Sequence, residues 1–244
     1  MAWHSGDGSG FLGGAMTVAD VTLLVTAKAP VAGSAKTRLV PPLSEDEAAE
    51  LAAAALLDTL AVVRDTPVRR RVVALRGDVR EGELADQVDA ALADVEVIEQ
   101  RGETFAERLA NAHADAARFG LPVLQVGMDT PQVTPELLQR CATTLTDPQV
   151  DAVLGPAADG GWWALGLCDA APARGLVDVP MSTTRTGAQT LAMLHEHQQR
   201  TRLLPQLVDV DYPADALYVA TLVRPGRFRS AVDALAHRLS SVEP

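Results

Sequence analysis

Short apolar runs alternate with longer stretches of helical period along almost the whole chain. Residues 21–27 form an unbroken Val/Leu-rich run, which reads as a strand buried on both faces of a parallel sheet. Ser44-Glu45-Asp46-Glu47 is a capping-box pattern ahead of an Ala/Leu-rich helix over 48–64. Further strands are predicted over 68–75, 95–98, 123–126, 151–154, 162–167 and 203–208, and helices over 82–93, 103–119, 187–200 and 212–223. Thr134-Pro135-Glu136 opens another helix with an N-cap followed by Pro at its first position. A last helix follows Arg224-Pro225-Gly226, and no internal repeat is visible.

This alternation predicts a three-layer α/β/α sandwich around a mostly parallel sheet. Little chain separates 151–154 from 162–167, too little for a crossover helix, so a mixed sheet with an antiparallel member is expected. No linker divides the chain, which predicts one domain over 21–240. Residues 1–20 are Gly-rich without Lys or Arg, unlike a secretory signal, and read as a disordered leader with Met16 a candidate start.

A formal net charge of −11 argues against nucleic acid or an anionic membrane as the main partner. No run approaches the roughly 20 apolar residues that span a bilayer. Cys141 and Cys168 lie far apart and form no CxxC, which fits a reducing cytoplasm.

Against that acidic background, three cations in one loop stand out. Lys28, Lys36 and Arg38 follow the first strand, with Pro30 and Gly33 to turn the loop and bring backbone N–H groups close to a ligand. The carboxyl ends of strands are where open α/β sheets bind ligands, so the loop points to a polyanion such as nucleotide phosphates. A solvated basic loop is the plain alternative, and the acids elsewhere decide against it. Asp129 follows the buried strand 123–126, and Asp159 sits in Asp159-Gly160-Gly161 between two strands. Mg²⁺ or Mn²⁺ bound through one or two carboxylates plus substrate phosphates matches that count. Two such carboxylates repel each other, so one is expected to hold its proton more tightly without metal. Asp159 could instead act as a base. Gln100, Gly102 and Asn111, after the third strand, are candidates for the base and ribose subsite.

These motifs carry a resemblance. Lys28-Ala-Pro-Val-Ala-Gly-Ser-Ala-Lys-Thr-Arg-Leu39, Gly127-Met-Asp-Thr-Pro131 and Asp159-Gly-Gly-Trp-Trp-Ala-Leu-Gly-Leu167 together resemble the nucleotide-diphospho-sugar transferase superfamily of GT-A fold, over about residues 21–223. The closer likeness is to bacterial glycosyltransferase-like proteins, with a more distant one to phosphoenolpyruvate and 2-phospholactate guanylyltransferases. The resemblance implies that the first loop holds nucleotide phosphates and that Asp129 is the metal-binding acid, here without a strict Asp-x-Asp triplet. It implies a transferase that takes a nucleotide or nucleotide-sugar and a small-molecule acceptor. Glycosyl transfer is the first reading, nucleotidyl transfer with pyrophosphate release the second, and a non-catalytic nucleotide-binding protein the third.

Other residues invite ordinary readings. His195 and His197 face different ways on a helix and cannot chelate one ion together. His113 is expected at the surface or half-buried, and Arg69–Arg71 as a solvated strand entry. The segment Met181-Ser-Thr-Thr-Arg185 closes over an acceptor or caps a helix through Thr184 or Thr186. Trp162 and Trp163 point to opposite sides of a strand, one to the core and one to the site.

Overall fold

The computed structural model describes residues 17–241. The chain runs β1 (Ala19–Lys28), α1 (Glu45–Asp65), β2 (Val68–Arg76), α2 (Ala85–Leu92), β3 (Glu96–Glu99), α3 (Phe105–Ala117), β4 (Val123–Gly127) and α4 (Pro135–Leu145). It continues with β5 (Ala152–Pro156), β6 (Trp162–Leu167), α5 (Thr186–Glu196), β7 (Thr201–Leu203), α6 (Pro213–Leu222) and α7 (Arg227–Leu239). The seven strands form one sheet in the order β3-β2-β1-β4-β6-β5-β7. β6 runs antiparallel to both β4 and β5, while the other pairings are parallel. This is the mixed α/β sheet that the spacing around Trp162 implied.

Alternation along the strands sorts the helices into layers. Leu23, Val25 and Val153 face α1, α2 and α4. Leu24, Val72, Ala74 and Val123 face α3, and Leu154 and Leu165 face α3 and α5. A further layer, α6 and α7, packs its Val219 and Phe228 on the outer side of α1, at Leu51 and Ala55. The Asp58 carboxylate of α1 accepts from the backbone N–H of Arg227 and Phe228, so the first turn of α7 is capped from a neighbouring helix.

Local signals hold in detail. Ser44 and Glu47 form a reciprocal capping box on α1, and Thr104 with Glu107 does the same on α3. Such caps contribute about 1 kcal/mol each. Three expectations need correction. Ala19 and Asp20 belong to β1, so the ordered chain begins before residue 21; residues 1–16 lie outside the described residues. The strand expected over 203–208 is confined to Thr201–Leu203 plus a single bridge from Leu207 to Ala157. Pro205 explains the break, since it has no N–H to donate to a ladder. His113 is fully buried, and its Nδ1–H donates to Gln125 Oε1 at 3.2 Å beneath the sheet.

Candidate functional site

The carboxyl ends of β1 and β4 lie side by side, since Thr26 pairs with Gly127. Each strand leaves the sheet there into a loop, and the two loops carry the basic and acidic groups of the sequence motifs. Lys36 is held in a left-handed backbone conformation, φ 48° and ψ 40°, which a non-glycine residue adopts only when its surroundings fix it. Its side chain is 7% exposed, with Nζ 2.7 Å from Asp129 Oδ1 and 3.3 Å from Asp211 Oδ1. Arg38 Nη1 reaches the other oxygen of Asp211 at 2.6 Å. Burial pulls the Lys36 ammonium down, but Asp129 and Asp211 more than offset it and leave its pKa raised.

Asp211 comes from a segment that contains no regular structure. The stretch after β7 is pinned at both sides: Leu207 N–H donates to Pro156 O and Ala158 N–H to Leu207 O at the β5–β6 side. Gln132 Nε2 donates to Val208 O and Val210 N–H to Asp129 O at the β4 side. Asp215 then accepts from the N–H of Asp211 and Tyr212, fixing the entry to α6. The result sets Asp209 and Asp211 beside Asp129. Asp209 is largely buried, and its Oδ1 has no hydrogen-bond partner. Burial, then the nearby Asp129 and Asp159 carboxylates, push its carboxyl up to about 8; Lys36 pulls the other way and Asp211 adds to the rise.

The sequence did not single out these two acids. The Asp-x-Asp spacing missing around Asp129 is present at Asp209-Val210-Asp211, just ahead of the Tyr212-Pro213 helix start. That spacing was the available signal. The acid whose carboxyl is pushed up is Asp209.

A cavity of about 660 Å³ opens beside these groups. Asp129, Asp159, Asp209 and Asp211 line it with Thr26 and Arg38, and Phe105, Leu109, Trp162, Met181 and Tyr212 form its apolar wall. Thr130 Oγ1, Trp162 Nε1 and Asp209 Oδ1 are buried, line the cavity through their residues, and lack partners. Buried polar atoms are rarely left unpaired, so the cavity is shaped for a polar ligand. Asp159 sits in the β5–β6 turn, with Oδ1 accepting from Gly161 N–H at 2.8 Å. Gly160 makes that turn possible: φ is +90°, and a Cβ there would meet Thr184 O at 2.1 Å. Gly187 N–H donates to Gly160 O, so the turn and the start of α5 are locked together.

The remaining expected residues divide. Lys28 and Lys36 line a smaller pocket of about 200 Å³ that shares Arg38, Asp129 and Asp211 with the large one. Gly33 faces Glu45 at the start of α1. Gln100, Gly102 and Asn111 are not among the residues lining the large cavity. Gln100 Nε2 donates to Ala27 O and Ala74 O, tying β3 to the ends of β1 and β2. Asn111 Nδ2 holds Arg101 O, and a Cβ on Gly102 would lie 2.7 Å from Glu107 Cβ at φ +128°. All three secure the loop between β3 and α3. Of the two tryptophans, Trp163 is in the core with Nε1 donating to Pro205 O, and Trp162 faces the cavity. The 181–186 segment caps no helix, since α5 has no side-chain hydrogen bond at its N-cap. Met181 to Thr184 line the cavity, while Thr186 Oγ1 donates to Pro180 O and the backbone N–H of Thr183 donates to that same Oγ1. Among the described residues no group of three or more His, Cys, Asp or Glu forms a ready-made metal cage.

The fold is that of the nucleotide-diphospho-sugar transferases. A protein of Desulfovibrio desulfuricans G20, provisionally assigned as such a transferase, superposes with a TM-score of 0.79 at 23% identity, over 91% of this chain and 97% of that one. The 4-diphosphocytidyl-2C-methyl-D-erythritol synthase gives 0.54 at 19% identity, over 84% and 98%. CMP:2-keto-3-deoxy-manno-octonic acid synthetase in complex with CTP gives 0.52 at 12%, over 83% and 98%. No curated protein matches the chain. The model of the family described as uncharacterized protein conserved in bacteria (DUF2064) matches residues 59–183, just over half of the 244 residues, and the chain belongs to that family.

Proposed function

We propose that the protein is a metal-dependent transferase that moves a glycosyl group from a nucleotide-sugar to a small-molecule acceptor. The observation that carries this reading is the assembly of Asp129, Asp159 and Asp209 around one large cavity, with Lys36 and Arg38 at its edge. A hard divalent cation fits there: Asp209, whose Oδ1 is buried without a partner, lines the cavity with Asp129, and both are oxygen donors of the kind Mg²⁺ or Mn²⁺ takes. Asp129 and Asp209 would hold it. When bound, the cation would offset negative charge on the departing diphosphate.

The chain's own groups supply the rest. Arg38 is half-exposed at the rim and can meet a phosphate oxygen. Phe105, Trp162 and Tyr212 offer flat apolar faces on which sugar rings pack. Asp159 keeps one oxygen on Gly161 N–H and has the other to accept the acceptor hydroxyl's proton. In that step the acceptor oxygen bonds to the anomeric carbon, the bond from that carbon to the phosphate oxygen breaks, and a nucleoside diphosphate leaves. The aromatic wall favours glycosyl over nucleotidyl transfer.

Incubation with UDP- and GDP-sugars in Mg²⁺ or Mn²⁺ tests this, beside parallel reactions with nucleoside triphosphates. Release of nucleoside diphosphate from at least one sugar donor is expected. Pyrophosphate release from a triphosphate, with every sugar donor untouched, would replace glycosyl by nucleotidyl transfer.

A further inference from the structure

Lys36 and Arg38 of the first loop are already engaged by acids, but Lys28 and two further cations are not. Lys28 closes β1, Arg76 closes β2, and the two are register partners in the parallel pair. Residues two apart on a strand share a face, so Lys28 lies on the face of Thr26 and Leu24, and Arg76 on that of Ala74 and Val72. Leu24, Val72 and Ala74 pack against Ala112 of α3, which places both cations on the α3 side. Arg108 stands in the first turn of α3. Its Nη1 donates to Glu103 O at 2.8 Å, and its Nε is buried with no partner.

None of the three forms a salt bridge among the described residues, in a chain of net charge −11. Lys28 Nζ reaches only Ser34 O, at 2.7 Å. Glu103 and Glu107 lie near Arg108, but the Glu107 carboxylate accepts from the N–H groups of Glu103 and Thr104 and is committed to capping α3. Burial and the two arginines hold the Lys28 ammonium below its ordinary range, and burial and Arg76 do the same to Arg108. Like charges this close repel, and Glu107 and Glu103 offset the repulsion at Arg108 only in part. The cluster borders the large cavity, since the Arg108 guanidinium lies 5.8 Å from the ring of Phe105 on the cavity wall.

We infer that Lys28, Arg76 and Arg108 form an anion site that adjoins the Lys36–Asp129–Asp211 pocket through Lys28 and takes a phosphate or diphosphate group of a substrate. The site follows from the unpaired cations; only its use by a transferase substrate rests on the function proposed above.

The test is calorimetric titration with inorganic pyrophosphate at 0.15 M salt, without metal. Wild type is compared with Arg76→Gln, Arg108→Gln and Arg108→Lys, and with Arg69→Gln, an exposed cation paired with Asp20 at the far end of the sheet. Arg76 is exposed, so its replacement leaves the fold intact, and thermal midpoints check this for every variant. Both Gln variants are expected to weaken binding at least tenfold, Arg108→Lys to recover part of the loss, and Arg69→Gln to change nothing. A folded Arg76→Gln that binds within twofold of wild type, or a wild type that binds no pyrophosphate at millimolar concentration, would overturn the site.

UDP and GDP then separate the sources. Parallel loss for pyrophosphate and nucleoside diphosphates assigns the site to the donor; loss for pyrophosphate alone assigns it to a phosphorylated acceptor. Pyrophosphate binding through Arg76 in a protein that turns over no nucleotide donor would remove the transferase reading and leave the anion site standing.

Discussion

Asp209 and His113 are both titratable groups removed from water, and they sit in opposite kinds of surroundings. His113 lies on the core-facing side of α3, where its Nε2 and the Gln125 Nε2 have no partners among the described residues. Burial alone drives its pKa down to about 4, with the Gln125 contact resisting. Asp209 faces a cavity among other carboxylates, and burial plus like charge drives it up to about 8. Each group is pushed towards neutrality, but only at Asp209 would an incoming cation relieve what drives the shift. Burial by itself marks a packed core; burial among like charges at the edge of a cavity marks a binding site.

The largest expected effect comes from breaking the charge balance on the cavity side. Lys36→Met leaves Asp129, Asp209 and Asp211 facing one another without the buried ammonium. It should cost about 3 kcal/mol of unfolding free energy, the low end for removal of one partner from a buried ion pair, because Asp129 and Asp211 are 40% and 28% exposed. Urea denaturation at pH 7 measures it, and a loss below about 1 kcal/mol would show that the acids do not depend on Lys36.

The next effect sharpens the comparison through pH. A carboxyl raised in the folded state binds its proton more tightly there than in the unfolded chain, so Asp209 makes stability fall as pH rises from about 4 to about 8. A histidine lowered in the folded state does the reverse: stability falls as pH drops from about 6.5 towards 4. Each slope is up to about 1.4 kcal/mol per pH unit, so the two oppose each other below pH 6.5 and Asp209 acts alone above it. Asp209→Asn should raise stability at pH 8 by roughly 2–4 kcal/mol and expose the acid-side loss due to His113. Persistence of the wild-type decline between pH 6.5 and 8 in that variant would assign it to another group.

The smallest effect is expected from His113→Leu, which removes the loss on the acid side, worth roughly 2 kcal/mol near pH 4.5, while leaving the fall above pH 6.5 in place. Thermal unfolding across pH 4.5–8 reads both limbs in one series. A steeper acid loss in the variant would contradict the assignment.

The sheet and its helices were legible because period and punctuation agree with the tertiary packing. Ser44 and Thr134 cap the helices that the sequence placed after them, and the short span before Trp162 gave the antiparallel strand. The basic loop, Asp129 and Asp159 were legible as residues that follow strands. Asp209 and Asp211 were not, because Pro205 ends β7 early and the chain then crosses the sheet edge without regular structure. Only hydrogen bonds distant in sequence, such as Val210 N–H to Asp129 O, bring these acids to the site. Gln100, Gly102 and Asn111 looked like ligand contacts because amides and glycines serve ligands and loops equally well; their partners here are backbone atoms and α3. Arg76 and Arg108 were passed over since neither belongs to a motif, and their meaning comes from register with Lys28 and from the acids they lack.

The central claim is that one cavity joins a nucleotide donor to a divalent cation through Asp129 and Asp209. It is tested most directly by calorimetric titration of UDP- and GDP-sugars into wild type, Asp129→Asn and Asp209→Asn, each with Mg²⁺ and with EDTA. The account predicts that at least one donor binds wild type tenfold or more tightly in Mg²⁺ than in EDTA, and that this difference disappears in both variants. Equal affinity in Mg²⁺ and EDTA for every donor that binds, or a metal dependence that survives both substitutions, would contradict it.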